Sequence, residues 1–145
     1  LKKNTFTYLN ELSSQLSVFT LYSGSQNILW IGTDGQGLIQ LYHYDSLFET
    51  VHTSHPVRCF CEDEDGNIFV CQGDNSHVIR KIAYDENMEK RYVTTVLGTS
   101  TVHGTDDGSP DIALFNGPQD ISYDGNGGYW IAMRYEPALR KYSIE

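Results

Sequence analysis

Three stretches of the chain repeat one pattern: an apolar strand, a polar turn, and a second strand with an aromatic residue near its start. The first is Val18-Phe19-Thr20-Leu21-Tyr22, a turn over 23–27, and Ile28-Leu29-Trp30-Ile31-Gly32. The second is Val57-Arg58-Cys59-Phe60-Cys61, the turn Asp63-Glu64-Asp65-Gly66-Asn67, and Ile68-Phe69-Val70. The third is Asp120-Ile121-Ser122-Tyr123, a turn over 124–128, and Tyr129-Trp130-Ile131-Ala132. Each reads as a β-hairpin, because the Gly and Asn of these turns tolerate the positive φ that tight hairpins require. No helical periodicity runs long enough to suggest a second domain.

With Leu29, Ile68 and Tyr129 as equivalent positions, the repeats are spaced by 39 and then 61 residues. A period near 40 that holds four short strands is a propeller blade. The remaining strands are expected at 38–44 and 47–52, at 78–84 and 92–97, and at 138–144. The chain therefore reads as an all-β, partial propeller of about three four-stranded antiparallel blades, over 16–52, 56–98 and 118–145. Residues 1–15 would hold the outer strand of a preceding blade, at 5–9. The excess of the second spacing falls in 99–117, a single long loop rich in Gly, Thr, Ser and Asp, and loops of that length usually carry function or motion. A blade buries both faces of its sheet against its neighbours, so a three-blade arc leaves two apolar faces open. The expected partners for those faces are further blades or another copy of the chain.

Charge narrows the other partners. Ten Lys and Arg stand against nineteen Asp and Glu, a formal net charge of −9. Such a surface repels nucleic acid and anionic membrane, so neither is an expected partner. No apolar run approaches the roughly 18 residues needed to span a bilayer, which argues against direct membrane insertion of this segment. No signal segment opens the chain, which begins at Leu1, so a leader or upstream domain removed from it is one expectation.

Several chemical motifs are weak on inspection. Asp63, Asp65 and Asn67 alternate as in a calcium loop, but an EF-hand would need an acid at Cys61 and a Glu at Gln72. A solvated hairpin turn is the expected role. Cys59-x-Cys61 with His52 and His55 nearby is too tightly spaced for structural zinc, which prefers about two to four residues between cysteines. Gly32, Gly35 and Gly37 lack the phosphate-binding spacing and a following helix. No Ser or Cys nucleophile stands in a recognisable motif with a His and an acid. Neither a metal nor an organic cofactor is expected. If Glu62 pairs with Ile68 across the turn, Cys59 lies opposite Cys71, where a bridge is conceivable, although a slip of one residue would separate them. Three buried free thiols are the expected state.

The first half resembles the two-component regulator propeller repeat. The residues that carry the resemblance are Leu29-Trp30-Ile31-Gly32-Thr33-Asp34-Gly35-Gln36-Gly37-Leu38 and Val57–Cys61 with Glu62-Asp63-Glu64-Asp65-Gly66-Asn67. The resemblance implies a periplasmic or extracellular sensor portion of a bacterial hybrid two-component system, which binds glycan fragments and signals across the membrane to a histidine kinase. The second half resembles the NHL repeat, on Val78-Ile79-Arg80-Lys81-Ile82, Asp107-Gly108-Ser109-Pro110 with Ala113, Phe115-Asn116-Gly117-Pro118, and Leu139-Arg140-Lys141-Tyr142. That implies a propeller on a secreted or surface protein that binds carbohydrate or protein. Val70-Cys71-Gln72-Gly73 and Ile131-Ala132-Met133-Arg134 depart from the Gly-Thr ending of the first repeat.

Propellers usually meet ligands with the loops between second and third strands and those between blades, here 33–37, 53–56, 73–77, 99–117 and 134–137. An oligosaccharide would want flat aromatic surface and bidentate polar groups. Asp34, Asp74, His77, Arg134 and Tyr135 are the candidates to supply them. The expectation is a recognition module without catalysis. A propeller lyase or lactonase, with a metal in the central channel, is the alternative from a different class.

Overall fold

The computed structural model describes residues 16–42, 48–53 and 55–143. Among these, eleven strands form three antiparallel sheets. The first holds β1 (Val18–Ser23), β2 (Ile28–Thr33), β3 (Leu38–Tyr42) and β4 (Phe48–Val51), in that order. The second holds β5 (Cys59–Glu62), β6 (Ile68–Gln72), β7 (Val78–Asp85) and β8 (Lys90–Leu97), again in order. The third holds β9 (Pro118–Tyr123), β10 (Tyr129–Met133) and β11 (Leu139–Tyr142). The strand expected at 5–9, and the expected strand residues His43, Tyr44, Leu47 and Ile144, lie outside the described residues.

The hairpin turns explain why the strands start where they do. Asp63 N–H donates to the Asn67 carbonyl at 3.0 Å and Asp124 N–H to that of Gly128 at 2.9 Å, and the two turns use their aspartates alike. The Asp63 carboxylate accepts from the amides of Asp65 and Asn67, and Asp124 accepts from those of Asn126 and Gly128. These are Asx turns, in which a short acid replaces the backbone acceptor. Glu62 then pairs with Ile68 and Tyr123 with Tyr129. The alternation in the calcium-like stretch is thereby accounted for by hairpin geometry.

Val57 and Arg58, expected in the strand, precede it. Val57 N–H donates to the Thr33 carbonyl of the first sheet, and Arg58 N–H donates to the Cys71 carbonyl out of register with the ladder below. The two residues splice the first sheet to the second, which is why regular pairing begins at Cys59.

The middle sheet is buried on both faces. Successive strand residues point to opposite sides, so Ile68 and Val70 pack with Trp30, Leu38 and Val57 of the first interface. Phe69 and Cys71 pack with Ile121, Tyr129 and Ile131 of the second. Every residue of β6 is buried for this reason. The outer sheets each show one side to solvent, where Leu21 is 61% and Leu139 is 66% exposed. Trp30, Phe69 and Trp130 each stand one position after the equivalent Leu29, Ile68 and Tyr129. The first two are buried against the following sheet, whereas Trp130 is 42% exposed.

The long connection is ordered against this core. Gly98 N–H donates to Pro110 O, Thr101 N–H to Ser76 O, and Leu114 N–H to Asp106 O. Ala113 and Phe115 are buried between the second and third sheets.

Candidate functional site

Three of the five candidate ligand-binding residues converge on one carboxylate. Asp74 follows Gly73 at the end of β6, and Arg134 and Tyr135 follow β10. Arg134 Nη1 donates to Asp74 Oδ1 at 3.1 Å, and the Tyr135 hydroxyl donates to the same oxygen at 3.2 Å. The other oxygen, Oδ2, accepts from Arg58 Nη2. Arg58 was not a candidate, yet it completes the cluster. Its only sequence signal is a charge set in the otherwise apolar run Val57–Cys61. The Arg58 guanidinium also lies 4.0 Å over the Phe19 ring, tying β1 to the cluster, and that of Arg134 lies 5.1 Å from the Tyr135 centroid.

The backbone beneath is held as firmly. Arg134 N–H donates to Gly117 O at 2.8 Å and Tyr135 N–H to Asn116 O at 3.3 Å. Gly117 adopts φ +70°, and a Cβ there would fall 2.5 Å from Tyr135 Cδ2, so glycine is required for Tyr135 to approach. Gly73, Gly117 and Pro118 floor the notch between Arg58 and Arg134.

His77 joins the group at one remove. Its Nδ1 accepts the Gly117 N–H at 3.2 Å, which puts the proton of the neutral ring on Nε2. Burial, and then the His103 ring 5.5 Å away, hold His77 below the usual imidazole range. Asp34 stands apart. It is exposed in the loop after β2, its amide donates to Ser17 O, and its carboxylate makes no hydrogen bond among the described residues.

Unused polar capacity gathers at the same end of the middle sheet. Gln72 and Ser76 are wholly buried, and among the described residues Gln72 Oε1, Ser76 Oγ and Arg58 Nε make no hydrogen bond. Gln72 Nε2 is satisfied by His55 O at 2.6 Å.

The three cysteines are free and buried. Cys59 lies opposite Cys71, the register that pairing across the 63–67 turn predicts. Cys61 Sγ accepts the Tyr123 amide at 3.0 Å. Among the described residues, no group of three or more His, Cys, Asp or Glu is placed to hold a metal ion, and no helix is long and apolar enough to cross a membrane.

Stacked antiparallel meanders of this kind define a β-propeller arc. Within that class, residues 11–35 match the two-component regulator propeller family model, and the resembling run from Leu29 lies largely inside the match. Among solved structures, a Bacteroides thetaiotaomicron protein of unknown function is 30% identical, with a TM-score of 0.68 over 81% of this chain and 32% of that one. The extracellular domain of a B. thetaiotaomicron protein described as a hybrid two-component system is 18% identical, with a TM-score of 0.60 over 95% of this chain and 17% of that one. An auxiliary nutrient binding protein from the same organism is 20% identical, with a TM-score of 0.56 over 79% of this chain and 34% of that one. The last two likenesses are of fold. The chain spans about a third or less of each of these structures. No curated protein sequence matches it.

Proposed function

We propose that this arc is a ligand-recognising part of the periplasmic or extracellular sensor propeller of a bacterial hybrid two-component system, and that its ligand is a glycan fragment. The carrying observation is the Asp74 carboxylate, gripped by Arg58 and Arg134 and by the Tyr135 hydroxyl from two neighbouring sheets. An acid held by two guanidinium groups and a phenol is fixed in orientation yet keeps one acceptor position, on Oδ2, of its roughly four for a sugar hydroxyl. Tyr135, 54% exposed, offers a flat face for the apolar side of a pyranose. The regulator-type repeat and the sensor and nutrient-binding fold relatives support this reading.

The test is calorimetry of the intact protein against a panel of oligosaccharides, with and without the paired substitutions Arg134→Ala and Tyr135→Ala. Loss of binding of at least about tenfold is expected. Unchanged affinity for a sugar that binds the parent protein would remove the rim formed by the Asp74 cluster from consideration.

A second reading has its own observation. Three residues of the stretches that resemble the NHL repeat meet in space: Arg140 donates to the Asp107 carboxylate at 2.5 Å and its guanidinium lies 4.6 Å over Phe115, and it also donates to the neighbouring Leu114 O and, at 2.9 Å, Asp106 O. An NHL-type propeller of a secreted or surface protein, binding carbohydrate or protein, fits that contact. The surrounding gene separates the two, since a kinase downstream belongs to the sensor alone. Bound divalent metal in the intact protein would instead favour the lyase or lactonase alternative.

A further inference from the structure

At the far end of β6 from Asp74, the second and third sheets diverge around a cavity of about 310 Å³. That is the size of a small-molecule cleft. Aromatic rings wall it: Tyr129 lies 4.5 Å from Phe69 and 6.3 Å from Tyr142, centroid to centroid, with the two tyrosines nearly parallel. Tyr129 is only 4% exposed.

The charges at the mouth are unbalanced. Asp63, Glu64 and Asp65 face the single cation Lys81. Lys81 is committed, 3.9 Å from Asp63 and 5.6 Å over the Phe69 ring. Asp63 is committed to its own turn. Glu64 and Asp65 are exposed and form no ion pair among the described residues.

We propose that this cavity binds a small organic cation, an ammonium or quaternary amine, seated against Tyr142 and balanced by Glu64 and Asp65. Ring faces attract positive charge through their quadrupoles, and the attraction grows as water is excluded. Carboxylates at the mouth add a longer-range term that a neutral ligand does not feel. Burial, which carries no sign, comes first in pushing the ionisation of the Tyr129 hydroxyl up, and the Asp63 carboxylate, which favours positive charge nearby, comes next. This site lies away from the rim around Asp74, and the two readings stand or fall separately.

The experiment titrates choline, and its uncharged isostere dimethylbutanol, into the intact protein by calorimetry and NMR. Saturable choline binding at least about tenfold tighter than that of the isostere is expected. Tyr142→Ala should weaken choline about fivefold or more. The exposed pair Glu64→Gln with Asp65→Asn, which leaves the core untouched, should weaken choline by a similar factor and leave the isostere unchanged. Absence of saturable choline binding, equal affinity for the isostere, or full affinity in the Glu64→Gln/Asp65→Asn protein would overturn the proposal.

Discussion

Gly73 approaches Pro118 so closely that a Cβ on the glycine would lie 2.5 Å from the proline carbonyl oxygen. The contact is backbone against backbone, so no side chain can yield. Gly73→Ala should separate the second and third sheets at the end that carries Asp74, and lower stability by about 1–3 kcal/mol. Urea unfolding of the intact protein measures this, and an unchanged midpoint would show that the sheets move apart at little cost.

Thiol chemistry offers an independent check on the core. Burial pushes the Cys61 thiol up to about 11 and the Cys71 thiol well above its ordinary range. Neither forms thiolate to a useful extent near pH 8. In the native protein these two should resist an aromatic disulfide reagent and react promptly in denaturant. Fast native labelling of Cys71 would mean that the interface between sheets opens readily.

Tyr22 and Glu62 set an alkaline limit. Burial and then the hydrogen bond to Glu62, 2.9 Å from the Tyr22 hydroxyl, push Tyr22 up to about 12. The folded state therefore holds this proton where the unfolded chain, at about 10, has released it. The stabilisation is complete below pH 10 and is lost as pH rises toward 12. Cys61 acts in the same direction over an overlapping range, so the informative quantity is a difference. Tyr22→Phe should flatten the decline of stability with pH relative to the parent protein, and identical slopes would exclude Tyr22 as a contributor.

The exposed apolar side chains of the outer sheets make a prediction about the chain in isolation. Residues 1–145 alone should associate in a concentration-dependent way through Leu21 on one side and Leu139 with Trp130 on the other. Sedimentation velocity with Leu21→Ser and Leu139→Ser, singly and together, measures it. A strict monomer at high concentration would show that these residues do not mediate contacts.

Much of the strand layout was legible because two short-range signals agree: apolar alternation, and turns whose Asp, Asn and Gly have few other uses. The pairing of Cys59 with Cys71 followed from one turn alone. The rim was half legible. Asp74, Arg134 and Tyr135 are picked out by loop position, but Arg58 joins them only because the Val57–Arg58 splice turns it towards Asp74, sixteen residues along the chain. Asp34 occupies a comparable loop, yet nothing brings it to the same carboxylate. The cavity around Tyr129 was not legible, since Phe69, Lys81 and Tyr142 reach it from three strands of two sheets, and each alone reads as ordinary core or surface.

Within each sheet, every strand pairs only with those next to it in sequence. Among the described residues no segment threads through another, so a sheet can finish hydrogen bonding as soon as its own few dozen residues exist, without waiting for distant chain. The same economy of wiring lets whole units be gained or lost at a seam without rerouting the remainder. Contacts shared between units, such as the grip on Asp74, are then what such a change would remake.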